Sequence, residues 1–540
     1  MNTNEYDYVV IGSGSAGAVV AARLSEDAET SVLLLEAGPP DHHPLQLVPL
    51  AFLKVATASA GTWQYQSEPE PHLEGRRLAV PRGRTLGGTS SINAMIAIRG
   101  HRRDYDLWAE QGLGGWSYAE VLPYFKRLET SWRGPGPWHG GTGPVKISRM
   151  VGPDLLWEPL FEAARAAGVP FCEDANGAEQ DGISRMEATV WRGRRSSASR
   201  AYLYPAMGRR NLTIETGALA SRIVTERGRA VAVEYRRHGR LKVARAAREI
   251  VLCGGAYNSP QLLMLSGIGE PDELKALGIA PVHELPGVGR NLHDHPNIMN
   301  EYELRGAEGL TRHIRLDRAA MSLARWYLDK SGPLAFAGTT ANIFARTLEG
   351  LDQPDIQMIC LPIGNSAEPW APGLQRQPSF RLSVRTGYLQ PKSRGWVKLR
   401  SSDPAAPPRI QFNLLAEPED LAAMLRAVKL SRDIYGRSPL KALIRSEVLP
   451  GPGASTDADL IEHIRRHAGH RSHPVGTCRM GLDAEAVVDP QLRVRGIEGL
   501  RIADASVMPQ IVSGNTNLPC MMIGEKASDL ILGRKPATEA

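Results

Sequence analysis

Tyr8-Val9-Val10-Ile11-Gly12-Ser13-Gly14-Ser15-Ala16-Gly17 is the stretch on which the fold turns. Tyr8 to Ile11 is short, apolar and rich in β-branched residues, as buried strands are. Ala18 to Leu24 follows as a helical run, and Ser31 to Leu35 is a second apolar strand ending at Glu36. Strand, glycine turn, helix and strand make a βαβ unit, which implies a parallel sheet. Each glycine of Gly12-x-Gly14-x-x-Gly17 has its own reason: a tight turn, close backbone approach to a pyrophosphate, and close helix–strand packing. The helix N-terminus then offers free N–H groups to phosphates. Glu36 stands 19 residues after Gly17. A carboxylate there accepts hydrogen bonds from ribose hydroxyls and repels a 2′-phosphate. A dinucleotide site is predicted, and the motif alone does not choose between FAD and NAD.

The chain has 540 residues, too many for one core, which stops growing near roughly 250–300. Two domains are expected. The charge is +6, from 64 basic and 58 acidic residues scattered along the chain, so no nucleic-acid partner is expected. The cysteines are Cys172, Cys253, Cys360, Cys478 and Cys520. Their odd number and the lack of CxxC spacing argue against a disulfide framework and against a metal site. No run is apolar enough to span a membrane, and the N-terminus carries no signal-peptide pattern. A cytoplasmic protein, monomeric or homodimeric, is expected.

Residues 39–90, rich in Pro, Gly and His, read as extended loops lying over the cofactor. Helices are expected at 117–129, 260–265 and 418–435, and loops at 130–145 and 364–378. Leu212 to Thr216, Ala230 to Tyr235 and Glu249 to Cys253 read as strands. Phe380 to Tyr388 and Trp396 to Leu399 alternate with period two, which predicts an antiparallel sheet with one covered face. The last 70 or so residues regain glycine-rich, apolar character, so the chain is expected to re-enter the first domain.

Gly83-Arg84-Thr85-Leu86-Gly87-Gly88-Thr89-Ser90-Ser91-Ile92-Asn93, continued through Ala97, Gly100 and Asp106, resembles a motif of the glucose–methanol–choline (GMC) oxidoreductases. Gly255 to Gly269 resembles their second pattern. His473-Pro474-Val475-Gly476-Thr477-Cys478-Arg479-Met480-Gly481, Ala503 to Pro509, Asn515-Thr516-Asn517 and Gln390 to Gly395 are also similar to the family. The likeness runs from about residue 5 to 533. It implies an α/β fold: a Rossmann-like FAD-binding domain plus a substrate domain with a mainly antiparallel sheet flanked by helices. The expected division is 1–158, 199–300 and 465–540 for FAD, and 159–198 and 301–464 for substrate.

The resemblance places FAD along Gly12, Ser13, Gly14, Ser15, Ala16 and Gly17, and along Glu36 and Ala37. It continues through Arg84, Gly87, Gly88, Thr89, Ser91, Asn93, Ala94 and Met95. Ala220 stands where relatives often have a valine whose backbone meets the adenine. Asp504, Ala505, Asn515, Thr516 and Asn517 complete the set. Some relatives carry at the position of Ile92 a histidine bonded to the flavin. Isoleucine forms no such bond, so non-covalent FAD is expected.

Oxidising an alcohol requires a base for the hydroxyl proton and an acceptor for the hydride. His473 is the candidate base, because a neutral imidazole titrates near working pH. His467 and His470 lack the Pro-x-Gly-Thr that follows His473 and read as structural or exposed. Asn515 occupies the family's second catalytic position and orients the hydroxyl, since an amide is no base. A helix is expected from Pro519 to Leu532, its N-terminus favouring an anionic reduced flavin. Cys478 reads as a packing residue.

The expected substrate is a small primary alcohol, neutral and aromatic or aliphatic. Ser472 is small where some relatives have an aromatic residue, and Thr339 to Phe344 holds no carboxylate to pair an ammonium. A sugar, a polyol or choline is the alternative, and an FAD-containing hydroxynitrile lyase is another. O2, a quinone or a redox protein would take the electrons. The resemblance of Thr477 to Met480 to bacterial dehydrogenases favours the last two.

Overall fold

The computed structural model describes residues 4–55, 61–374, 377–535 and 537. Residues 56–60 and 375–376, in two of the expected loops, lie outside them. Among the described residues, two seven-stranded sheets organise the chain. The first runs Leu212–Thr216, Val32–Glu36, Asn4–Ile11, Arg240–Leu252, Arg229–Arg237, Ala218–Glu226, with Leu500–Ile502 also beside Arg240–Leu252. Its first four strands and Leu500–Ile502 pair in parallel, and the other two add an antiparallel edge. The parallel strands are buried on both faces, as Val32–Glu36 is throughout.

The expected strand at 249–253 is the end of a longer one, Arg240–Leu252. Its first half is rich in Arg, Lys and Ala and hides the β signal. The helix expected at 260–265 starts at Gly255. Pro260 lies inside it and removes the N–H that would bond Ala256; the hydroxyl of Thr477 donates to that carbonyl instead, at 2.6 Å. Within 39–90, Thr62–Gln66 and Ala79–Gly83 form an antiparallel pair and Pro44–Leu47 is a helical turn, so this stretch is less irregular than its composition suggests. Pro81 and polar alternation mask that hairpin.

The second sheet runs Ile444–Leu449, Pro296–Leu304, Arg381–Tyr388, Ile356–Leu361, Ala341–Ala345, Gly182–Arg185, with Gly469–His470 also beside Pro296–Leu304, and is antiparallel throughout. Helix Pro418–Tyr435 covers one face, burying Ala423, Met424, Ala427 and Val428. The C-terminal helix begins at Asn517, two residues before Pro519. It crosses helix Ser15–Leu24 so closely that a Cβ on Gly524 would sit 2.8 Å from the Ala16 carbonyl oxygen. Glu525, fully buried, accepts from Arg23, Arg127 and Tyr202. This charge-assisted cluster fixes the C-terminal helix against the glycine-turn helix.

Candidate active site

A cavity of about 600 Å³ runs between the two sheets, a volume typical of cofactor and ligand sites. The glycine turn forms one end. A Cβ on Gly17 would lie 1.9 Å from the Gly12 carbonyl oxygen, and one on Gly12, at φ +95, 2.5 Å from that of Cys253. A Cβ on Gly14 would meet no protein atom within 4 Å. Gly14 therefore presents bare backbone to the cavity, and Gly88 packs against it. The N-termini of helices Ser15–Leu24 and Asn517–Leu532 both border this space. This cradle fits a diphosphate-bearing cofactor.

Glu36 lines the same end. Its Oε2 accepts from the Ser13 amide and hydroxyl, and its Oε1 from the Gly38 amide. Burial pushes its carboxyl up, against those hydrogen bonds. Asp504 also borders the cavity, accepting from the Gly255 amide and the Ser259 hydroxyl.

Most of the expected cofactor positions face the cavity: Gly12, Gly14, Ser15, Ala16, Ala37, Thr89, Asn93, Ala94, Met95, Ala220, Ala505, Thr516 and Asn517 among them. Ser13, Gly17, Arg84, Gly87 and Ser91 do not. Ser13 holds Glu36, and Gly17 serves the packing of the turn. The Arg84 guanidinium covers the Trp63 ring at 4.4 Å. Gly87, at φ +81, allows the next turn, and the Ser91 hydroxyl donates to Leu86. These act behind the cavity wall.

The other end holds His473 and Asn515. His473 Nε2 lies 3.1 Å from Asn515 Nδ2, and His473 Nδ1 lies 3.0 Å from His295 Nδ1. The protonation pattern follows from a group that can only donate. Arg471 Nη1 donates to Gln357 Oε1. Gln357 Nε2 then donates to Asn515 Oδ1 at 3.2 Å, so Asn515 Nδ2 faces His473 as a donor. His473 Nε2 must carry the lone pair, and Nδ1–H donates to His295. His295 therefore carries its own proton on Nε2, a buried atom with no hydrogen-bond partner among the described residues.

The imidazole of His473 is held well below its usual range, first by burial and then by the neighbouring His295. Asp294 opposes this: its carboxylate accepts the His473 backbone amide at 2.8 Å and favours a protonated ring. His473 is thus neutral at and below its ordinary pKa of about 6.5. The expected consequence is an acid limb of the alcohol-driven rate that lies below pH 6.5. A profile already falling above pH 7 on the acid side contradicts it.

Sequence reasoning missed His295, Asp294, Gln357 and Arg471. None carries a motif, and each is identified only by the contact it makes. No metal is expected from the sequence, yet ligand atoms of Asp294, His295 and His473 lie within 4.8 Å of one another. The two ring nitrogens that face each other are spent on their mutual hydrogen bond. His470 donates towards the Ala79 carbonyl, and Cys478 is a buried free thiol.

The GMC oxidoreductase family matches residues 6–297 and 391–524. An oxygen-dependent choline dehydrogenase of Rhizobium etli is 44% identical over 532 residues, covering 98% of this chain and 96% of the relative. One from Brucella anthropi is 43% identical over 534, with the same coverage. Among solved structures, pyridoxine 4-oxidase from Mesorbium loti superposes with a TM-score of 0.87 at 31% identity, covering 98% of this chain and 100% of that one. An Aspergillus oryzae formate oxidase variant gives 0.92 at 27%, covering 99% of both chains. Matched along both halves by its own motifs and at full length by these relatives, the chain belongs to the GMC oxidoreductase family.

Proposed function

We propose that the protein oxidises an alcohol to its carbonyl compound at a non-covalently bound FAD, with His473 as base. The hydrogen-bond chain that leaves the His473 Nε2 lone pair facing Asn515 Nδ2 carries this reading. A hydroxyl entering between them donates to Nε2 and accepts from Nδ2. Its proton passes to Nε2, and the Asp294 carboxylate favours the resulting imidazolium. FAD, when bound, accepts the hydride from the carbinol carbon. The Gly12–Gly17 turn would hold its diphosphate and Glu36 its adenosine ribose, leaving His473 and Asn515 to serve the flavin end.

The electrons then pass to an external acceptor: a quinone or redox protein in the reading we favour, or O2. The strand Leu500–Ile502 in the first sheet and Gly182–Arg185 in the second support a discontinuous FAD unit (1–158, 199–300, 465–540) and a substrate unit (159–198, 301–464). Strand Pro296–Leu304 straddles the boundary at 301.

Relatives are named for choline, pyridoxine and formate, so the fold leaves the substrate to the pocket. The acids lining the cavity are Glu36 and Asp504, both on the first-sheet side. That favours an alcohol without a positive charge over choline. Anaerobic mixing with a suitable alcohol should bleach the flavin and yield one carbonyl per flavin. Ile92 is buried at the cavity wall with no atom able to bond a flavin covalently. Acid precipitation should therefore leave all the yellow colour in the supernatant; colour in the pellet contradicts non-covalent binding.

A further inference from the structure

Among the described residues, the charged side chains lining the cavity are Glu36, Asp504, Arg385, Arg471 and Arg82, the last on strand Ala79–Gly83. Glu36 and Asp504, both hydrogen-bonded, stand at the ends of first-sheet strands. The end bordered by the second sheet carries arginines instead. Arg385 lies on strand Arg381–Tyr388, opposite Met299 on one neighbour and Ile359 on the other, and Ile359 also lines the cavity. Its Nη2 donates to Asn365 Oδ1 at 2.7 Å. Its Nε and Nη1 make no hydrogen bond among the described residues. Glu301, on the neighbouring strand, is already taken by Arg381 and the Asn365 amide.

Arg471 stands two residues before the base. It donates to Gln357 Oε1, to the carbonyls of Gln357 and Arg385 and to Asn297, so its place is fixed. Asp294 offsets part of its charge; among the described residues no carboxylate pairs with Arg385, which burial alone perturbs. A half-buried guanidinium lining a cavity without a counter-ion is costly, and a ligand that brings the counter-ion recovers part of that cost.

We propose that the substrate is an alcohol bearing a carboxylate, held by the unspent donors of Arg385 with Arg471 adding to the field, while its hydroxyl meets His473 and Asn515. A guanidinium with Nε and Nη1 unspent can donate a charge-assisted hydrogen bond to a carboxylate oxygen and supplies the opposite charge. This rests on the alcohol-oxidation reading above and narrows it: the alcohol is an anion, neither choline nor a neutral molecule.

The test uses matched pairs on the FAD-loaded protein: 4-(hydroxymethyl)benzoate against benzyl alcohol, and ω-hydroxy carboxylates against 1-alkanols of equal length, with choline as the cationic control. Anaerobic flavin reduction gives the rate over dissociation constant for each. The carboxylates should exceed their neutral partners by about tenfold or more, the worth of one charge-assisted hydrogen bond. In Arg385→Gln that ratio should collapse towards one, and Arg385→Lys should restore part of it. Neutral partners equal to or better than carboxylates, or a ratio unchanged in Arg385→Gln, overturns the proposal.

Binding is read separately with 4-methylbenzoate, which has no hydroxyl to oxidise, by its perturbation of the flavin spectrum. If no alcohol bleaches the flavin but 4-methylbenzoate binds in an Arg385-dependent way, the oxidation reading falls and the anion site stands. If it does not bind either, both fall.

Discussion

Replacing His473 with alanine should lower the rate of alcohol-driven flavin reduction by about 10²–10⁴, the usual worth of a positioned general base. FAD content should stay near one per chain, because the glycine turn and Glu36 lie at the other end of the cavity. On the proposed reading Asn515 orients the hydroxyl and takes no proton, so Asn515→Ala should slow the same step by less. The loss should fall on the limiting reduction rate more than on the alcohol's dissociation constant, since the proton moves in the transition state. Rapid-mixing reduction at several alcohol concentrations separates the two. A His473→Ala protein reduced at near-full rate removes the base from the account.

The second large effect lies at the other end. Gly17→Ala places a Cβ 1.9 Å from the Gly12 carbonyl oxygen and 2.8 Å from Cys253 Cβ. The first clash is with backbone, so no rotamer change relieves it. The helix must shift away from the strand, spoiling the cradle. Overpacking of this kind costs about 1–3 kcal/mol and often more. The variant should lose most of its flavin and melt several degrees lower. The ratio of flavin to protein absorbance and a thermal melt measure both. Wild-type values would mean that the turn relaxes freely and that Gly17 has no packing role. Gly14→Ala is the control: its Cβ meets no protein atom, so it should perturb cofactor affinity more than stability.

What the sequence made legible follows from where the physics is local. The glycine turn could be read because three glycines in a fixed spacing have one structural use, and the structure builds the same strand, turn and helix. Helix 418–435 could be read because one face is apolar over five turns; it is observed over the same span. Strand Arg240–Leu252 was half hidden because its exposed end alternates charge with alanine rather than apolar residues. Pro260 read as the first residue of a helix that in fact begins at Gly255, because a hydroxyl 217 residues downstream makes the proline tolerable inside it.

The site divides in the same way. His473 and Asn515 are announced by the residues that flank them. His295, Gln357 and Arg471 act through contacts between segments as distant as 178 residues, and no local pattern marks them. The unspent donors of Arg385 are harder still to foresee, because whether a strand arginine meets a carboxylate depends on its neighbours across the sheet. Its lack of one appears only when the neighbouring strands are in place.

The measurement that bears most directly on the central claim is an anaerobic titration of the purified protein with a panel of alcohols, following flavin absorbance. The expected result is a yellow protein that bleaches with an alcohol of one class, at one alcohol per flavin, and forms the matching carbonyl. A colourless protein as purified, or a yellow one that no alcohol bleaches, would contradict alcohol oxidation at FAD.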